Sequence, residues 1–209
     1  MRLMVCSRES VENYHGHPVS HFVSLIDPGE KDQSIPPPSV ERDLSLAFSD
    51  LDDIEVTLPR FKSYKPPEKE HIEELVGFGR EMSDLSEWGL LLNCEAGISR
   101  SPAAAIIILT AAGYRPQTAF GLVRRVQPEM LPNRRMLRLS DEVLNTGGAL
   151  HRMAEIHRQK AFLRAGYEDP TLVRQREAQL EAEQVWWKRW MRSMARRLRP
   201  ENRKVPGLK

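Results

Sequence analysis

Apolar and polar positions along the chain fall into short blocks with two different periods. Leu3 to Ser7, His21 to Asp27 and Trp88 to Leu92 are brief, mostly apolar runs bounded by polar or turn-forming residues, the mark of buried strands. Leu44 to Phe48 alternates apolar with small or polar residues and reads as a further strand. Glu68 to Leu85 places Ile72, Leu75, Val76, Phe78 and Met82 at helical spacing. Ala103 to Ala112 is apolar and small throughout and reads as a buried helix. Pro116 opens another helix through Val126, and Pro128 stops it. Leu131-Pro132-Asn133 then leads into a longer helix from Arg134 to about Arg158. Ser7 is placed to cap a short helix from Arg8 to His15. Glu30 to Ser39, with Pro36-Pro37-Pro38, and Ile54 to Pro67 read as connections.

Strands alternating with helices predict an α/β fold, a mainly parallel central sheet of about four strands with helices on both faces. Ligands of such sheets collect at the carboxyl ends of the strands. Asp50 and Cys94 both fall there.

Composition changes this picture in one place. The 209 residues carry a net charge of only +2, so no polyelectrolyte role follows from the whole. Residues 159–209, however, hold 13 Lys and Arg against 6 Asp and Glu, a charge of +7, and the remainder holds 18 against 23, a charge of −5. The chain therefore divides into a globular domain over 1–158 and a basic extension over 159–209. Within the extension, Thr171 is placed to cap a helix reaching about Leu198, with Leu180, Trp187, Met191, Met194 and Leu198 on one stripe. Such a stripe packs on the domain or on a second copy, docks a protein partner, or lies on an acidic membrane surface. Nucleic acid has no motif here beyond charge. Two cysteines argue against a disulfide framework. The apolar run at Leu3 is short for a signal peptide, and no run has membrane-spanning length, so the expected setting is cytoplasmic.

The chemistry concentrates in Leu90-Leu91-Leu92-Asn93-Cys94-Glu95-Ala96-Gly97-Ile98-Ser99-Arg100-Ser101-Pro102. This reads as strand, tight loop and helix start, with Ser99 near the N-cap and Pro102 in the first turn. A helix N-terminus with inward-facing loop amides makes an anion site. Gly97 permits the turn, and Arg100 offers a planar fork for two phosphate oxygens. A thiol aimed into that cradle is stabilised as thiolate and is nucleophilic near neutral pH. The Ser101 hydroxyl is placed to assist its departure.

Cys94-x5-Arg100-Ser101 resembles the signature of the protein tyrosine phosphatase superfamily, and the wording Cys-x-Ala-Gly-x-Ser-Arg-Ser is similar to its dual-specificity-like branch. The resemblance covers about Leu3 to Leu150. It implies a cysteinyl-phosphate mechanism without metal or organic cofactor, and a phosphorylated protein as substrate. Cys94 would be the nucleophile, Arg100 the phosphate clamp and Ser101 the helper of the second step. The substrate phosphate would lie in the loop of Glu95, Ala96, Gly97, Ile98, Ser99 and Arg100. The family's general acid is an aspartate on a mobile loop. Asp50 is the best match, with Asp52 and Asp53 as rivals.

Three features shape the expectation further. Asn93 stands where the family has histidine before the cysteine, which keeps open a phosphate-binding module of weak catalytic power. The loop carries no basic residue besides Arg100, which disfavours a polyanionic inositol headgroup and leaves phosphotyrosine as the default. Cys6 lies where the low-molecular-weight phosphatases keep their loop, but position 12 is Glu12 rather than arginine. Cys6 is then a strand residue, with a reversible disulfide to Cys94 as its alternative role. Sulfur transfer and arsenate reduction fit the Arg-Ser pair less well.

Overall fold

The computed structural model describes residues 1–31 and 34–166. Strands β1 (Arg2–Ser7), β2 (His21–Ile26), β3 (Arg42–Ala47) and β4 (Gly89–Cys94) form a four-stranded parallel sheet in the order β1-β4-β2-β3. Helices α1 (Lys69–Glu81), α2 (Arg100–Ala111), α3 (Pro116–Val126), α4 (Arg134–Leu144) and α5 (Ala149–Ala165) complete it. The α/β class and the parallel sheet are those the sequence pattern predicts. β4 is buried along its whole length, as befits an apolar strand between two neighbours. β3 lies at an edge and carries the exposed charges Arg42 and Asp43, which discourage further pairing.

The expectation of helices on both faces needs correction. Buried side chains of all five helices join Leu3, Val5, Val23, Leu25, Leu90 and Leu92 in one core. The alternate strand residues Met4, Cys6, Phe22 and Leu91 face the other way and meet Val11 and Val19. Their cover is the 3-10 helix Arg8–Tyr14 and its flanks, the place of the short helix expected from Arg8 to His15.

Helix α2 forms the centre of the main core. Arg100 through Leu109 are all buried, which explains a run that is apolar on every side. Helix α1 crosses it closely. A Cβ on Gly79 would lie 2.5 Å from the Ile108 carbonyl oxygen and 2.8 Å from Ala111 Cβ. That glycine sets the contact distance.

The single long helix expected from Arg134 to about Arg158 is two. α4 ends at Asn145 in the left-handed conformation, φ 53°, a common helix terminator. Buried Asp141 then accepts from the Thr146 hydroxyl and from the backbone amides of Leu150 and His151, which starts α5 in a new direction. Residue 158 lies inside α5, so the expected division after it falls within a continuous helix. The extension helix over Thr171 to Leu198 lies outside the described residues. Among the described residues no helix is long and apolar enough to cross a membrane.

His157 on α5 ties this arrangement to pH. Its ring bonds the Met130 carbonyl at 2.9 Å and stands edge-on to Phe120. Burial, opposed by that bond and helped by Arg124, Arg164 and Lys160, holds its pKa below 6.5. As pH falls through 6.5 the unfolded chain takes up the proton first, so stability present above 6.5 is lost toward the depressed folded value. His157→Gln keeps an N–H for Met130 and removes the titration. Its melting temperature is expected to fall less on acidification than that of the wild type, and parallel profiles would contradict this origin.

Candidate active site

All four strands point their carboxyl ends to one edge of the sheet, and each is followed there by a polar group. Arg8 follows β1, Asp27 follows β2, Phe48-Ser49-Asp50 follows β3, and the loop 95–99 follows β4. The loop lies directly on the end of β1. A Cβ on Gly97 (φ +72°) would sit 2.5 Å from the Cys6 carbonyl carbon and 2.6 Å from the Ser7 nitrogen, so position 97 needs glycine for space as well as for φ.

Neighbouring segments hold the loop's carbonyls from outside. The Glu95 oxygen accepts from the Arg8 amide at 3.3 Å and the Gly97 oxygen from Gln127 Nε2 at 2.9 Å. The Ile98 oxygen accepts from the Leu131 amide at 2.8 Å, and the Ser99 oxygen from the amides of Ala103 and Asn133 at 3.2 and 3.3 Å. No described peptide bond is cis, and in a trans peptide the N–H points opposite to the carbonyl before it. The N–H groups of Ala96, Ile98, Ser99 and Arg100 therefore face the inside of the loop. None of them has an acceptor among the described residues. Ser99 does not cap α2, as its position suggested. Its hydroxyl donates to Asp50 Oδ1 instead, at 2.8 Å.

Cys94 is buried, and its sulfur lies 3.2 Å from the Ser101 hydroxyl. Arg100 is buried too, and two groups hold it. Nη1 and Nη2 bond Asp27 Oδ1 and Oδ2 at 3.1 and 3.2 Å, and Nη1 also donates to the Phe48 carbonyl at 2.8 Å. A guanidinium has five N–H donors. Three are used, and those remaining, on Nε and Nη2, form the other edge of the fork. Nε is buried without a partner. An edge of this kind matches two oxygens of a tetrahedral anion.

The carboxylates sort themselves by environment. Asp50 is exposed, and its Oδ1 takes bonds from Ser99 Oγ and from Asn133 Nδ2, both at 2.8 Å. Asp52 pairs with Arg134 and accepts from the amides of Ile54 and Glu55. Asp53 is held by Arg135 and Arg138. Burial would raise its pKa, but Arg138 and Arg135 outweigh that and bring it below the ordinary value. Of the three candidates, Asp50 alone touches the loop.

Glu95 turns its side chain outward, 60% exposed, to Arg8, which also binds Glu30. Burial opposes the Arg8 charge, but Glu30, Glu95 and Asp27 more than offset it and raise its pKa. Asn93 is fully buried on the face away from α2. Its Nδ2 donates to Ser34 Oγ at 3.0 Å, beside Ser24 on β2. Cys6 lies on that same face, whereas Cys94 faces α2. A direct disulfide would have to cross the sheet. Burial, with Cys94 nearby, pushes the Cys6 thiol up to about 12.

Sequence reasoning missed Asp27, Arg8, Gln127 and Asn133 as members of the site. Asp27 carried the same signal as Asp50, an aspartate just past a strand end. The other three reach the loop or Asp50 from distant parts of the chain, contacts that only the fold reveals.

Neither a family model nor a curated protein matches the sequence. Solved structures do match. Human DUSP28 is 18% identical, with 70% of this chain and 94% of that chain covered and a TM-score of 0.50. A mouse protein described as a dual specificity phosphatase, in complex with zinc tungstate, is 19% identical, with 70% and 84% covered and a TM-score of 0.50. This likeness establishes the fold alone, the arrangement seen in these dual specificity phosphatase structures.

Asp27→Asn keeps the size of the side chain and removes the charge that faces Arg100. Because the carboxylate is 38% exposed, the expected loss of stability is about 1–2 kcal/mol in urea denaturation. A midpoint equal to the wild type would show that the pair does not hold Arg100.

Proposed function

We propose that the chain is a cysteine-dependent phosphatase that hydrolyses phosphoprotein monoesters, with phosphotyrosine the foremost substrate. The observation that carries this reading is the loop itself. Its carbonyls are held outward, its amides face inward, and the unpartnered edge of Arg100 and the sulfur of Cys94 belong to the same strand–loop–helix unit. That is a receptor for a tetrahedral dianion with a nucleophile built into it.

In the first step the Cys94 thiolate attacks phosphorus in line with the ester oxygen. The S–P bond forms as the O–P bond breaks. Loop amides and the Nε/Nη2 edge of Arg100 hold the three non-bridging oxygens. Asp50 donates the proton to the departing oxygen. Its Oδ1 already accepts two hydrogen bonds, so Oδ2 is the atom that carries the proton. In the second step Asp50, now ionised, takes a proton from water, the water oxygen bonds phosphorus, and the thiolate leaves toward the Ser101 hydroxyl. The tungstate complex of the mouse neighbour concerns a tetrahedral oxyanion of similar shape, which accords with this reading.

A second reading has one observation behind it. Asn93 bonds Ser34 on the far face of the sheet rather than the thiol's surroundings. The chain would then be a catalytically weak module that reads phosphoryl groups.

Cys94→Ser is expected to lower hydrolysis of an aryl phosphate by about 10³-fold or more while vanadate still binds. Hydrolysis near the wild-type rate in that variant would remove Cys94 as nucleophile. A wild type that binds vanadate without turnover would instead support the module. Asp50→Asn is expected to lower kcat by about 10²-fold for phenyl phosphate and much less for 4-nitrophenyl phosphate, whose leaving oxygen needs little protonation. If Asp52→Asn shows that dependence on leaving group, the acid is Asp52.

A further inference from the structure

The connection between Asp50 and α1 is longer than a link requires, and its two ends meet beside the acid. The Ser49 amide bonds the Lys65 carbonyl at 2.7 Å, and the Leu51 carbonyl accepts from Asn133. Residues 52–65 thus form a closed surface loop with its mouth at Asp50, the Ω-loop geometry. Its charges are segregated. Asp52 and Asp53 at the base are engaged by Arg134, Arg135 and Arg138 of α4, and Glu55 accepts from the Asp52 amide. Arg60, Lys62 and Lys65 are all exposed and enter no ion pair among the described residues. Aromatic rings stiffen the basic part. Arg60 lies over Phe61 at 5.0 Å, and Phe61 meets Tyr64 edge-on at 5.6 Å.

We propose that this loop is a docking surface for acidic residues flanking the phosphorylated side chain of a protein substrate. It rests on the phosphatase reading, since it extends the mouth of that same site. Charge complementarity supports the choice of partner: three cations with no internal counter-charge stand on a loop anchored one residue from the general acid. An acidic lipid surface is less well matched. The aromatic rings are engaged with one another and with Arg60 rather than presented as a bare apolar face.

The test compares two labelled phosphotyrosyl peptides, one with acidic flanks and one with neutral flanks. Binding to the full-length Cys94→Ser protein is followed by anisotropy at low and high salt. The acidic peptide is expected to bind about tenfold more tightly at low salt. That advantage should vanish at high salt and in the Arg60→Gln/Lys62→Gln/Lys65→Gln variant made in the same background. Equal affinities, or an advantage that survives the triple substitution, would overturn the proposal. So would an absent peptide preference together with triple-sensitive binding to phosphatidylserine vesicles, which would make the loop a lipid-facing surface. Aryl phosphate hydrolysis by the wild type tests the underlying phosphatase reading separately, because the binding comparison needs no turnover.

Discussion

The outward hold on the carbonyls of the loop between β4 and α2 is the constraint on which the candidate site depends. A short loop between a strand and a helix has no regular ladder to satisfy its peptide groups. Here Arg8, Gln127, Leu131 and Asn133 supply donors from two separate segments, and each bond turns the following amide inward. The concave array of N–H groups is thus a product of what surrounds the loop as much as of the loop's own residues. Gly97 makes the arrangement sterically feasible by letting the loop lie against the end of β1.

Electrostatics follows the same logic of support from neighbours. Arg100 is buried, and a buried cation without a counter-charge is unfavourable. Asp27 and the Phe48 carbonyl engage one end of the guanidinium and leave the other edge directed by default. The candidate site is therefore assembled around an arginine whose orientation is set by the protein itself. Asn133 does comparable work on the acid side. It caps α4 through Met136, bonds Asp50 and Leu51, and supports the Ser99 carbonyl. One asparagine, through its side chain and its backbone amide together, thereby ties the Asp50 segment to the loop after β4.

Much of this was legible in the sequence because it is written in local terms. The apolar run before Cys94, the glycine, the arginine and the buried run after it specify strand, loop and helix without reference to the rest of the chain. Asp50 could be reached because a parallel sheet gathers its strand ends. What escaped was set by packing. The break at Asn145 had a signal in Gly147-Gly148, both of positive φ, but the bonds by which Asp141 starts α5 in a new direction are set by packing. The short helix after Ser7 was legible, but which face of the sheet it covers, and that the α-helices gather on the other, is set by packing. Asp27 escaped because an aspartate before Pro28-Gly29 reads equally well as a turn residue.

The contact between Gly97 and the end of β1 has a consequence for how the protein is made. The segment that cradles the loop leaves the ribosome before the loop does, and the loop's supports at Gln127 to Asn133 come later still. The central strand must then insert between β1 and β2, which cannot pair directly in the finished sheet. A nascent chain therefore has an incomplete sheet until β4 emerges, and the Cys94 thiol is enclosed only once the following helices have folded over it. Synthesis leaves a window in which Cys94 exists without its cradle, so the order of translation places the thiol ahead of the surroundings that enclose it.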